Sequence, residues 1–184
     1  PADWGANIIT HSLTKFICGH GTSMGGIVID CGNFDFKKDD KYPSLTTPNK
    51  SYNGIKFAET FGDFGYAMKI KADTLRDLGC SLSPQNAFYI INGLETLHLR
   101  MREHSKNALL VAKFLDKHRK IESVSYAGIK TSKYYKLAKK YMPAGPGSVF
   151  TIKLKKGYEA CVSMVEKVRL ISHVANIGDT RSLI

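Results

Sequence analysis

Apolar positions recur along this chain with two periods, and the places where the period changes mark its elements. Residues 7–12, Asn7-Ile8-Ile9-Thr10-His11-Ser12, read as a short strand. The chain continues through Leu13-Thr14-Lys15-Phe16-Ile17 into a glycine-rich loop from Gly19 to Gly26, and Ile27-Val28-Ile29 forms a second strand closed by Asp30 and Gly32. Lys15 therefore stands at the end of one strand, beside a glycine loop and facing another strand. Residues 33–66 have a different texture. The run Lys37-Lys38-Asp39-Asp40-Lys41, Pro43, Pro48 and several Ser, Thr and Asn residues predict a long irregular excursion, of a length uncommon unless functional or ordered by a partner. Residues 67–79 predict a short helix ended by Gly79.

Ser83-Pro84 is a helix start, with Ser83 as N-cap and Pro84 at the first helical position. Apolar residues at 87, 90, 91, 94, 97, 101, 108, 112 and 115 then predict one long helix over 84–117 with a single buried stripe. Beyond it the pattern alternates: strand at 124–126, helix at 132–141, strand at 149–154, helix at 159–169, strand at 173–177. Alternating strands and helices point to an α/β layer.

A chain of 184 residues is long enough for one moderate domain, or for pieces of two. No apolar run approaches the roughly 20 residues a membrane helix needs, so no membrane partner is expected. The formal charge of +11 is unevenly spread: residues 1–92 carry 9 basic and 9 acidic residues, and residues 93–184 carry 18 and 7. Such an excess raises the reading of a basic nucleic-acid-binding module. The lysines at 130, 133, 136, 139 and 140, however, alternate with Tyr134, Leu137, Ala138 and Tyr141, as on the wet face of an amphipathic helix. No base-reading motif accompanies them, so nucleic acid is not the expected partner. Cys18, Cys31, Cys80 and Cys161 contain no CxxC pair, which leaves no zinc or redox motif and fits a reducing cytoplasm. The chain opens without Met, at Pro1-Ala2-Asp3-Trp4, and stops inside what reads as an apolar strand or its approach. It is read as an internal segment of a longer protein.

The candidate chemistry centres on Ser12-Leu13-Thr14-Lys15. A lysine acting as an amine nucleophile must release its proton near neutral pH, which partial burial favours, and Leu13, Phe16 and Ile17 supply an apolar setting. Two hydroxyls within three residues are placed to bind a phosphate. Ser12 to Lys15 also fits the SxxK serine-nucleophile pattern, with Ser105-Lys106-Asn107 and Lys130-Thr131-Ser132 as companions. That pattern should open a helix, whereas here it follows a strand, and Ser105-Lys106-Asn107 falls inside the long helix. Gly19-His20-Gly21 with Gly25 is not GxGxxG, so no dinucleotide site is expected. His11 and His20 flank the lysine. His98 and His104, six apart on the helix, share no face as metal ligands would, and no metal set is expected.

Ser12-Leu13-Thr14-Lys15-Phe16-Ile17-Cys18-Gly19-His20-Gly21 resembles the pyridoxal-phosphate attachment signature of the Cys/Met-metabolism enzymes. The resemblance continues through GTSMGGIVID, SYNGIKFAETFG, LRDLGCSLSPQNAF, GLETLHLRMREHSKNALLVAKFL and SHVANIGDTRSLI, essentially the whole chain. Within the family the excursion is most similar to the branch acting on O-acetylhomoserine with sulfide. The resemblance implies an α/β chain of the fold-type-I PLP-dependent transferases: a partial large domain with a partial C-terminal α/β domain. Residues 1–82 would be the end of the PLP-binding domain, 83–118 a connecting helix, and 119–184 the start of the smaller domain. Lys15 would be the catalytic, cofactor-bearing lysine, Ser12 and Thr14 the phosphate-binding hydroxyls, and Asn176 a residue at the substrate α-carboxylate.

The cofactor would be pyridoxal 5'-phosphate and the reaction γ-replacement on O-acetyl-L-homoserine, giving L-homocysteine and acetate in a cytoplasmic homotetramer. Cystathionine γ-synthase, cystathionine γ-lyase and methionine γ-lyase chemistry are the family alternatives. Cys18 stands where relatives commonly have glycine, and Asn176 where they often have serine. The phosphate-binding glycine loop, the ring-stacking aromatic and the aspartate at the pyridine nitrogen would lie before Pro1. The arginine gripping the substrate carboxylate would lie after Ile184. The segment alone is therefore expected to be inactive.

Overall fold

The computed structural model describes residues 1–184. The chain divides into two compact units, residues 1–13 with 24–88, and residues 14–23 with 89–184.

The first unit is built on a hairpin. β1 (Ile8–Ser12) pairs antiparallel with β2 (Gly26–Asp30), Ile8 opposite Asp30 and Ser12 opposite Gly26. The excursion between β2 and the long helix is better ordered than its composition suggests. It holds α1 (Pro43–Thr46), a 3-10 turn Lys50–Tyr52 capped by the Asn49 side chain, and α2 (Phe57–Phe61). Aromatic side chains supply what periodicity does not: Leu45, Phe57 and Ala58 are buried under Phe36, Tyr42, Tyr52, Phe61 and Tyr66. The Phe36 and Tyr66 rings stack with centroids 5.7 Å apart. The chain then winds almost continuously through α3 (Gly65–Lys69), a wide turn at Ile70–Leu75 and α4 (Arg76–Leu78). It stops where predicted, at Gly79 in the left-handed region, φ 69°, a conformation glycine adopts at no steric cost.

The long helical span starts as the sequence indicates, with Ser83 Oγ accepting from the Asn86 amide at 3.2 Å. It is not a single helix. α5 (Pro84–Glu95) and α6 (Leu97–Asp116) are separated at Thr96, φ −100° and ψ 2°. The Gly93 carbonyl, which an unbroken helix reserves for the amide four residues on, accepts from Arg100 Nη2 at 2.6 Å and from Thr96 Oγ1 at 3.4 Å. Side chains inserted into the ladder break it there.

In the second unit α6 packs on β3 (Ile121–Ser125), which pairs antiparallel with β4 (Thr151–Leu154), with an irregularity between Ile121 and Ser123. α7 (Tyr135–Tyr141) is a turn shorter than predicted, and α8 (Gly157–Lys167) packs against β4. Ala108 and Ala112 of α6 meet Tyr126 and Ile129 in the core. Tyr126 is buried, which raises its pKa, and its hydroxyl donates to the Gly147 carbonyl at 2.7 Å. Residues 173–177 do not form the predicted strand. This stretch is irregular, pinned by a lone bridge between Ser172 and Leu183 and by a local bond from the Asn176 amide to the Val174 carbonyl at 2.8 Å.

Candidate active site

Lys15 leaves the backbone from a short wide turn, Leu13–Ile17, in which Lys15 alone departs from helical dihedrals, φ −88° and ψ −125°. The Gly19 amide closes this turn onto the Lys15 carbonyl at 2.8 Å, and the Gly19 carbonyl accepts from the Thr180 amide at 2.9 Å. Two glycines let other segments approach. A Cβ on Gly178 would lie 2.8 Å from Lys15 C, and a Cβ on Gly93 would lie 2.7 Å from the Ile17 carbonyl oxygen. Both distances are far inside van der Waals contact, so only glycine fits without backbone movement.

The Lys15 amine donates to Asn176 Oδ1 at 2.5 Å, across 161 residues of sequence. None of the ion pairs of the chain involves Lys15. The amine is half-buried, held by a neutral amide and engaged with no carboxylate, so no ion pair has to break for it to bond covalently to a carbonyl compound. Thr14 is half-buried within the same turn, whereas Ser12 is exposed at the end of β1 in the first unit. Of the residues singled out in the sequence, Lys15 and Asn176 are thus directly joined.

Around the turn lie groups to which the sequence pattern assigns no role. Cys18 is fully buried. Burial by itself would raise its pKa, but hydrogen bonds from the Thr22 hydroxyl and from the backbone at His20, Thr22 and Ser23 outweigh burial, and the net shift is downward. His20 Nδ1 lies 2.7 Å from the Cys18 carbonyl oxygen, so the backbone satisfies this ring nitrogen. His104 sets its ring edge-on to Phe16 at 5.9 Å, with Nε2 buried and lacking any protein partner.

Arg100 contributes most. Its Nη1 donates to the Phe16 carbonyl at 2.7 Å, its Nη2 to the Ile17 carbonyl at 3.1 Å, and its Nε to Thr96 Oγ1 at 3.1 Å. A signal for both residues does exist in the sequence. Positions 93, 97, 100, 104 and 108 succeed one another by three or four, so Arg100 and His104 occupy the helix face that also carries Leu97 and Ala108. A charged residue on that face needs buried partners, and Arg100 finds them in backbone carbonyls.

Comparison with known proteins gives consistent likenesses. The sequence model of the Cys/Met metabolism PLP-dependent enzymes matches residues 1–184. The chain is 44% identical over 185 residues to a homocysteine synthase of Schizosaccharomyces pombe, and 47% identical over 192 residues to an O-acetyl-L-homoserine sulfhydrylase of Leptospira meyeri. All of this chain is covered in both, but only 43% of each relative, so the chain spans under half of their length. A crystal structure from Campylobacter jejuni, assigned as an O-acetylhomoserine (thiol)-lyase and carrying a pyridoxyl-lysine phosphate, superposes with a TM-score of 0.91 at 36% identity. It covers 100% of this chain and 45% of that one. A cystathionine gamma synthase of Xanthomonas oryzae superposes with a TM-score of 0.73 at 27% identity, covering 100% of this chain and 39% of that one.

Proposed function

Because the chain belongs to the Cys/Met metabolism PLP-dependent enzymes, we propose that it is the lysine-bearing part of an O-acetyl-L-homoserine sulfhydrylase. That enzyme exchanges the acetate of O-acetyl-L-homoserine for sulfide, giving L-homocysteine and acetate. Relatives named for that activity support the substrate, and the α/β fold is that of the fold-type-I PLP-dependent transferases, represented in part. The observation that carries the reading is the Lys15 amine, half-buried, unpaired with any carboxylate and held by Asn176 Oδ1.

The residues fit pyridoxal 5'-phosphate. An amine free of carboxylates is what the aldehyde requires, and a turn with the Thr14 hydroxyl beside Lys15 suits a phosphate ester. When bound, the cofactor supplies the electron sink that stabilises negative charge at the substrate Cα. The work of the chain is to bind and to move protons. Lys15 holds the cofactor and takes the proton from the substrate Cα at Nζ. The hydroxyls of Ser12 and Thr14 bind the phosphate. Asn176 faces Lys15 through Oδ1, which steadies the ammonium formed on proton transfer, and its Nδ2 is assigned to the substrate α-carboxylate. We place residues 1–82 in the cofactor domain, 83–118 in the connecting helix and 119–184 in the C-terminal domain, within a cytoplasmic homotetramer.

Borohydride reduction of the full-length protein with pyridoxal phosphate, followed by peptide mapping, tests this reading. One pyridoxyl adduct on the peptide containing Lys15 is expected, and Lys15→Ala should lower kcat by about 10²–10⁴-fold or more. Adducts on other lysines with none at Lys15 would sink the reading. Turnover of O-acetylhomoserine with sulfide should exceed turnover of cystathionine or methionine; the reverse order would replace the sulfhydrylase assignment by a γ-lyase one.

A further inference from the structure

Arg100 carries a formal charge yet makes none of the ion pairs of the chain. All its hydrogen bonds go to neutral oxygens: the carbonyls of Phe16 at 2.7 Å, Ile17 at 3.1 Å and Gly93 at 2.6 Å, and Thr96 Oγ1 at 3.1 Å. Two of these are the carbonyls of the two residues that follow Lys15. A planar fork that grips two consecutive carbonyls fixes the orientation of both peptide planes, and with them the direction in which the preceding side chain leaves the backbone. The fit is close. A Cβ on Gly19, which sits at φ +77°, would overlap the guanidinium and stand 3.0 Å from Nη2. Gly178 also lies hard against Lys15 C and the Phe16 backbone, so a second segment packs on the same turn. The third grip, on Gly93, ties the same guanidinium to the end of α5. From this turn Lys15 meets Asn176 Oδ1 at 2.5 Å.

We infer that Arg100 is a positioning residue for the proposed enzyme: it clamps the Phe16 and Ile17 carbonyls and so aims the Lys15 amine. The inference rests on Lys15 being the reactive lysine. Lysine in place of Arg100 keeps the charge but is a point donor without the fork, so charge alone cannot replace it.

The test uses the full-length enzyme with Arg100→Ala, Arg100→Lys, and Arg102→Ala as control, Arg102 being exposed two residues further along α6. In Arg100→Ala and Arg100→Lys, kcat should fall by about 10–100-fold while KM for the amino-acid substrate changes by less than about 3-fold, the pattern of a misaimed group. In the apoenzyme, hydrogen exchange of the peptide covering residues 14–19 should accelerate by about 10-fold or more, with β3 and β4 unchanged. Guanidinium ion added to Arg100→Ala should restore part of the rate of borohydride trapping at Lys15. Arg102→Ala should behave as wild type throughout. Unchanged kcat and unchanged exchange at 14–19 in either Arg100 variant would overturn the inference, as would exchange raised equally in β3 and β4. Should Arg100→Ala not fold, Arg100→Lys decides by the same readouts. Failure of the underlying reading looks different, since the wild type itself would then give no adduct at Lys15.

Discussion

His104 shows how a single side chain couples the lysine turn to pH. Burial lowers its pKa below the ordinary value near 6.5, the charge of Arg100 lowers it further, and the Asp179 carboxylate opposes both in part. Its Nε2 has no protein partner, so the neutral ring packed on Phe16 is the form the fold accepts. A histidine with a depressed folded-state pKa binds its proton more readily when unfolded. Its contribution to stability is complete above about pH 6.5 and declines as pH falls from there through the folded-state pKa. Denaturant unfolding at a series of pH values should show this decline in the wild type and a smaller one in His104→Leu. Parallel pH profiles for the two proteins would mean that His104 is not the group responsible.

At the scale of elements, the contact that matters runs between α5 and the lysine turn. Gly93 is buried, and a side chain there would overlap the Cys18 carbonyl and press within 2.7 Å of the Ile17 carbonyl. These are backbone atoms, which cannot rotate away. Gly93→Ala should therefore cost about 1–3 kcal/mol of overpacking in spite of alanine's better helix propensity, read as a lower denaturant midpoint at unchanged slope. A midpoint at or above wild type would show that α5 has room to withdraw. The same carbonyl of Gly93 that Arg100 and Thr96 occupy breaks the helix at Thr96, so the kink and the grip on the turn have one cause.

Across the whole molecule, apolar side chains are left in the open on both units. In the first, Ile27, Val28 and Ile29 of β2 are 42%, 47% and 39% exposed. In the second, Ile91 and Leu94 of α5 and Leu110 and Phe114 of α6 are exposed too. So many open apolar side chains are normally buried against further protein, and each sheet is only two strands wide, short of what makes a sheet stable unaided. The 184-residue chain expressed by itself should bind a hydrophobic dye and sediment as more than one species. A sharp monomer without dye binding would count against that expectation. No helix of the chain is long and apolar enough to cross a membrane.

Local order was legible in the sequence because it is written at short range. Alternation and punctuation placed β1, β2 and β4, Ser83 and Gly79 marked helix ends, and the lysine motif with the longer resemblance identified the family. What stayed hidden rests on contacts without a period. The aromatic cluster around Phe57 orders an excursion whose polar composition reads as loop, since rings distant in sequence bury one another. The segment 173–177 reads as a strand, but beyond the Ser172–Leu183 bridge and the bond from the Val174 amide to the Ile184 carbonyl it builds no ladder. Sequence by itself singled out Lys15 and, through the resemblance, Asn176; only the tertiary structure brought them together and assigned Arg100 to hold the turn. Partners 84 and 161 residues apart meet because helix packing and glycine-permitted close approach set their distance, and neither acts locally along the chain.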